Sequence, residues 1–122
     1  MPRAAAILAA VGVAWTVTWT DRAAHLCGLW IDWGGQAPEP EAVCAVAKQE
    51  PAGAEGARVS VAADLAVCGL AYEIAGCFDP NTDWIYIAPG PVERSALAHE
   101  LHHRALWLTT GDPDHGHAGT EW

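Results

Sequence analysis

The sequence predicts an α+β fold in which a small antiparallel sheet packs on one long helix. Residues 84–88, Trp-Ile-Tyr-Ile-Ala, form the clearest strand, because aromatic and β-branched residues follow one another without a break. Residues 91–109 contain no internal glycine or proline, which favours a helix. The 122 residues leave room for a single domain, which we place at residues 21–122.

The sheet is expected to contain a hairpin whose second arm is the strand at 84–88. Residues 78–83, Phe-Asp-Pro-Asn-Thr-Asp, have the composition of a turn, and alternating apolar residues precede them between Cys68 and Cys77. A further strand is predicted at 58–62 and a short helix at 42–48, with a loop at 53–56. Residues 21–35 either extend the first helix or wrap around the domain.

The long helix has recognisable ends. Gly90 can act as its N-cap and Pro91 suits its first position, while Gly111 provides a natural stop. Leu97, Leu101 and Leu108 share one side of such a helix, which we assign to the core.

The N-terminus predicts export. Arg3 is the only early charge, and residues 4–20 form an apolar, charge-free run. This pattern is typical of a secretory signal or a short signal-anchor at residues 1–20, with a possible membrane tether through residues 4–20. A buried N-terminal apolar helix is the alternative. The mature domain is therefore expected to be secreted or membrane-anchored and extracytoplasmic.

Four cysteines, at positions 27, 44, 68 and 77, suit an oxidising compartment. We favour bridges joining Cys68 to Cys77 and Cys27 to Cys44, although four cysteines permit three connectivities. No pair has CxxC spacing, which argues against a four-cysteine zinc knuckle.

The charge balance is strongly acidic. Fifteen Asp and Glu residues face six Lys and Arg residues, for a formal net charge of −9. Nucleic acid is contacted mainly through Lys and Arg, so a nucleic-acid partner is not expected.

The chemistry lies in the segment His99-Glu100-Leu101-His102-His103, an HExxH motif. Histidines four residues apart stand one helical turn apart on one face, so both imidazoles can reach one zinc ion. Glu100 then lies beside the metal as the general base, which accepts a proton from a zinc-activated water. The alternative is a solvent-exposed helix whose histidines have only incidental metal affinity.

A catalytic zinc ion usually has three protein ligands. The third must come from beyond Gly111, where His117 is our first choice, His115 the alternative, and Glu121 a further possibility. Asp112 or Asp114 could orient a ligand histidine, or could simply be a turn residue. Tyr72 and Tyr86 could stabilise an oxyanion, but strand tyrosines are more often packed.

The motif resembles that of the zincin metallopeptidases, whose signature is HExxH on an active-site helix. The resemblance covers residues 84–117, and residues 95–122 also resemble small exported bacterial proteins of peptidase type. It implies a peptide or protein substrate, which pairs with an edge strand ahead of the helix, here residues 84–88. Leu106 and Thr109 depart from the metzincin pattern, which requires Gly and His at these positions.

The sequence thus predicts a zinc peptidase with His99, His103 and His117 as ligands. Two other functions remain open. The first is a non-catalytic exported zinc-binding domain, in which Glu100 is merely an exposed helix residue. The second is a disulfide-stapled interaction module in which the histidine cluster is incidental. The sequence does not determine the oligomeric state.

Overall fold

A computed structural model describes residues 23–34, 37–61 and 75–113. These residues form an α+β fold with one sheet and three helices, as the sequence predicts in outline. The strands are β1 (Ala23–Leu26), β2 (Leu29–Asp32), β3 (Arg58–Val61), β4 (Gly76–Asp79) and β5 (Trp84–Ile87). The helices are α1 (Pro40–Gln49), α2 (Pro51–Ala54) and α3 (Leu97–Thr110), with a 3₁₀ turn at Val92–Arg94. None of the helices in these ranges is both long and apolar enough to cross a membrane.

The sheet is mixed, so the prediction of a purely antiparallel sheet is wrong. Its strand order is β1-β2-β3-β5-β4. β2 pairs with β3 in parallel, as does β3 with β5, whereas both outer pairs are antiparallel. The parallel pairing of β2 and β3 follows from α1 and α2, which form the crossover connection that parallel neighbours require.

The hairpin of β1 and β2 was not predicted from the sequence. Its two-residue turn is Cys27-Gly28, and both residues have positive φ, 50° and 90°. Such turns match the twist of the strands they join, but Cys at the first position gives no sequence signal for one. The Cys27–Cys44 disulfide, with Cα atoms 5.4 Å apart, fastens this turn to α1 and confirms the predicted pair. Cys77 is also disulfide-bonded, and the predicted partner Cys68 lies outside the described residues.

The strand predicted at 84–88 exists as β5, but it is not an edge strand. β5 lies between β3 and β4, with Ile85 opposite Val59 on one side and Phe78 on the other. The edge strand that precedes the long helix is β4.

The long helix begins later than predicted. Residues 92–94 form the 3₁₀ turn, Ser95 is extended with ψ of 175°, and α3 starts at Leu97. The Ser95 hydroxyl donates to the carbonyl of Val92 (2.7 Å) and accepts from the amide of Leu97 (3.1 Å). These local bonds compete with a continuous helix, which is why α3 does not extend back to Pro91. Its end is as predicted, because Gly111 adopts φ of 79° and its amide caps the carbonyl of Trp107.

The core lies between one face of the sheet and the helices. The strands contribute four apolar residues on one face of the sheet: Ile31, Val59, Ile85 and Ile87. These residues pack with Leu97 and Leu101 of α3 and with Val43 of α1. Leu108, predicted to be part of the core face, is 50 % exposed. Residues 108–110 at the end of α3 are all exposed. The helix therefore extends beyond the core, although the spacing of its apolar residues continues.

Several predicted segments lie outside the described residues. These are the signal or anchor helix at residues 1–20, the alternating run that begins at Cys68, and the chain from residue 114 onwards. The loop predicted at 53–56 begins two residues late, because Gly53 and Ala54 belong to α2.

Gly53 allows α2 to contact α3 closely. A Cβ atom at this position would overlap the carbonyl oxygen of Leu101 and lie 3.2 Å from the amide nitrogen of Ala105. Both obstacles are backbone atoms, which cannot turn aside as a flexible side chain would.

Replacing Gly53 by Ala is expected to lower the free energy of unfolding by about 3 kcal/mol, because α2 must move away from α3. Urea denaturation followed by circular dichroism measures the change. The control is Ala52→Ser on the exposed side of the same helix, which should change stability by less than about 0.5 kcal/mol. Equal stability of the two variants would refute the close contact.

Candidate metal centre

His99 and His103 present their imidazoles together on the side of α3 that faces away from the sheet. Their rings are 4.8 Å apart between centroids and nearly perpendicular, at 82°. The two Nε2 atoms are 3.2 Å apart. Two nitrogens bound to one tetrahedral zinc ion are about 3.3 Å apart, given zinc–nitrogen bonds of about 2.05 Å. The pair is therefore already at a distance suitable for chelating zinc.

The tautomer of His103 is set by the chain that follows α3. Its Nδ1 lies 2.6 Å from the carbonyl oxygen of Pro113. A carbonyl only accepts, so Nδ1 carries the hydrogen and donates it, which leaves Nε2 with a lone pair. Metal-binding histidines are usually held in this way through their second nitrogen. The sequence pointed to Asp112 and Asp114 for such a role, and no pattern identifies a proline carbonyl.

Glu100 is buried, with 5 % of its surface exposed. Burial raises the pKa of its carboxyl from 4.5 to about 7, since the charged form is poorly solvated. A carboxylate with this pKa both accepts and releases protons near neutral pH, as a general base must. The burial also contradicts the picture of Glu100 as an exposed helix residue, on which the non-catalytic alternative was based.

The three residues form one group of ligand atoms. One nitrogen each from His99 and His103 and one carboxylate oxygen of Glu100 lie within 4.8 Å of one another. The predicted residues of the HExxH motif are thus brought together by α3. Two imidazole nitrogens are donors that suit zinc among the common divalent ions, and the Glu100 carboxylate lies beside them.

The remaining predicted ligands, His117, His115 and Glu121, lie outside the described residues, as does Asp114. The described chain ends at Pro113, whose carbonyl is bonded to His103.

Two other candidates for the site are placed elsewhere. Tyr86 alternates with Ile85 and Ile87 along β5, so it lies on the face of the sheet opposite α3, where its ring stacks on Trp84. It is therefore a packed strand tyrosine. Tyr72 lies outside the described residues.

His102 faces the junction of α1 and α2 and does not join the metal-binding pair. Its Nδ1 lies 3.1 Å from a carboxylate oxygen of Glu50. His102 therefore connects α3 to the neighbouring helices, and its position about 100° around the helix from His103 keeps it off the metal-binding face.

Arg104 is a residue of the site region that sequence reasoning missed. It directly follows His103, yet it is 5 % exposed and projects into the interior. Its guanidinium group forms a two-pronged ion pair with Asp83, at 2.7 and 3.1 Å, and donates to the carbonyls of Gly53 and Glu55. The available signal was its helical spacing, three residues beyond Leu101, which places Arg104 near the core side of α3.

No protein-family model matches the chain, and no curated protein or solved structure matches it significantly. The resemblance to zincins therefore remains a prediction from the motif.

The raised pKa of Glu100 predicts a pH dependence of folding in the metal-free protein. Below pH 4.5 the carboxyl is protonated in both states, and above pH 7 the folded state bears the full cost of a buried charge. The free energy of unfolding should therefore fall as pH rises through this window, by up to about 3 kcal/mol. Urea denaturation in a chelator at pH 5 and pH 8 measures it.

Glu100→Gln should remove this component, while the exposed Glu41→Gln on α1 should leave it in place. Other groups titrate in the same window. The informative quantity is therefore the difference in the free energy of unfolding between each variant and the parent protein at each pH. Parallel pH profiles for the parent and Glu100→Gln would show that burial of Glu100 carries no such cost.

Proposed function

We propose that this protein is a zinc-dependent peptidase, with His99 and His103 as zinc ligands and Glu100 as the general base. The observation that carries the proposal is the joint geometry of the three side chains. The Nε2 atoms are 3.2 Å apart, the Nδ1 of His103 is occupied by a carbonyl, and a buried carboxyl lies beside them. A pair of surface histidines with only incidental metal affinity is not expected to combine these three features.

The chain's own residues supply the proton transfers. Zinc in this position would polarise the scissile carbonyl and lower the pKa of water. The Glu100 carboxylate accepts a proton from the attacking water and then delivers it to the departing amine. Burial supports this cycle, because it raises the pKa of the carboxyl to about 7, where the group can both accept and release a proton near neutral pH.

β4, and not β5, is the strand to which we assign the substrate. Among the described strands, β4 lies at the edge of the sheet, and it contacts α3 through Phe78 and Trp107, whose rings are 5.5 Å apart. Its outer side can pair with an extended peptide through backbone hydrogen bonds. We place this activity outside the cytoplasm, since the Cys27–Cys44 bridge is typical of an oxidising compartment.

The competing function is a non-catalytic zinc-binding domain, which uses the same histidines. The burial of Glu100 beside the two histidines favours the peptidase, because the binding domain was expected to leave Glu100 as an exposed helix residue. A stapled interaction module without metal is the remaining alternative.

The first test is metal content by mass spectrometry of the purified, oxidised protein after zinc has been offered and the excess removed. One zinc ion per chain is expected in the parent, with a loss of most bound zinc in His103→Ala. His25→Ala is the matched control, because His25 is the exposed residue of β1, at the opposite end of the sheet from β4. Absence of stoichiometric metal in the parent would refute the peptidase and favour the interaction module.

The second test separates catalysis from binding. Glu100→Gln should retain zinc while peptide hydrolysis falls by at least about 100-fold, the usual contribution of a general base. Cleavage of a fluorogenic peptide library, measured on parent and variant at equal zinc content, gives the comparison. A parent that binds zinc and cleaves no peptide would identify the non-catalytic domain.

The third ligand is expected to be His117. His117→Ala should weaken zinc binding by at least about tenfold, more than His115→Ala or Glu121→Gln. Competition with a chromophoric chelator measures the three affinities under one condition. A larger loss in His115→Ala would transfer the assignment to that residue.

A further inference from the structure

We propose that Asp83 and Arg104 are positioning residues of the metal centre. Their ion pair fixes the middle of α3, and with it the imidazole of His103, at the chelating distance from His99. The inference rests on the metal site of the proposed function and does not depend on peptide hydrolysis.

Burial along α3 shows why Arg104 is needed. The buried residues of this helix are Leu97, Glu100, Leu101 and Arg104, and every later residue is half-buried or exposed. His99 lies between two fully buried leucines, which hold it from both sides. His103 has Leu101 before it and Arg104 directly after it, and Arg104 is the last buried residue of α3.

Arg104 is anchored by directional bonds rather than by apolar contact. Four hydrogen bonds connect its guanidinium group to the carboxylate of Asp83 and to the carbonyls of Gly53 and Glu55. Bidentate Arg–carboxylate pairs fix orientation as well as distance. These partners belong to α2 and its following turn and to the β4–β5 turn, so Arg104 ties the helix to both neighbours at once.

Asp83 is itself held firmly. It is the last residue of the turn between β4 and β5, with φ of 57°, and its amide donates to the carbonyl of Asp79 at 2.8 Å. The Asp79 carboxylate in turn accepts from the amide of Asn81 and the hydroxyl of Thr82. The carboxylate that receives Arg104 is therefore attached to a rigid turn of the sheet.

Asp83→Asn is the variant that tests the proposal. Asn adopts positive φ about as readily as Asp, so the turn is retained, while the charge and one acceptor of the ion pair are lost. Asp32→Asn is the matched control, because it makes the same chemical change on β2, in register with Tyr86 on the face of the sheet opposite α3. Thermal denaturation first sets a temperature at which all the proteins are fully folded.

Zinc affinity, measured at that temperature by competition with a chromophoric chelator, is the main readout. Asp83→Asn should bind zinc at least about tenfold more weakly than the parent, a loss typical of residues that orient metal ligands. Asp32→Asn should stay within about twofold, as expected of a substitution away from the metal centre. The absorption spectrum of the cobalt-loaded proteins should change in Asp83→Asn alone, since a displaced His103 alters the coordination geometry.

Arg104→Lys provides a second variant if Asp83→Asn does not fold. Lysine keeps the positive charge but cannot make the forked contact, so it should show the same weakened zinc binding. Parent-like zinc affinity and cobalt spectra in either variant, once folded, would overturn the positioning role and leave a purely structural ion pair. A parent protein that binds no zinc would instead overturn the metal centre itself, which distinguishes the two failures.

Discussion

Burial of Leu97 and Leu101 against the sheet sets the rotation of α3, and the site depends on that rotation. Both leucines are fully buried, and each is followed two residues later by a histidine of the motif. Two residues correspond to about 200° around a helix, so the packing that hides the leucines turns both imidazoles away from the core. The apolar contact thus decides where the ligands point, although it touches neither of them.

Two charged residues, Glu100 and Arg104, lie on the interior side of α3. Arg104 is bonded to neighbouring groups, whereas burial raises the pKa of Glu100. Glu100 and Arg104 are four residues apart, the spacing at which such side chains attract each other on a helix surface. The guanidinium group of Arg104 is nevertheless bonded to Asp83 and to two backbone carbonyls. Burial therefore dominates the pKa of Glu100, which is raised rather than lowered. A fold selected only for stability would pair Glu100 with a cation or replace it with an apolar residue. A buried carboxyl that lowers stability is a local conflict of the kind that is concentrated at functional sites.

The sequence was most informative where local chemistry alone decides the structure. The HExxH spacing placed His99, Glu100 and His103 together, and Gly111 ended the helix where expected, because both depend only on the geometry of one helix. The pairing of β5 with β3 could not be read in this way, since β3 is more than twenty residues away. The hairpin at Cys27-Gly28 was missed for a related reason: its positive φ values are stabilised by the tertiary contacts of the Cys27–Cys44 bridge as well as by residue type. Arg104 and the carbonyl of Pro113 were also missed, because a buried arginine and a backbone acceptor leave almost no trace in sequence patterns.

In the proposed function, metal binding is coupled to the stability of the fold. In the metal-free protein at neutral pH, the folded state carries the cost of the raised pKa of Glu100, because its charged carboxylate is poorly solvated. A divalent cation beside the carboxylate would supply the compensating charge that Arg104, engaged by Asp83, does not provide. The same cation would use the Nε2 lone pair that the Pro113 carbonyl leaves on His103. Metal binding would therefore offset a cost that the folded chain otherwise carries, whether the ion serves hydrolysis or binding alone.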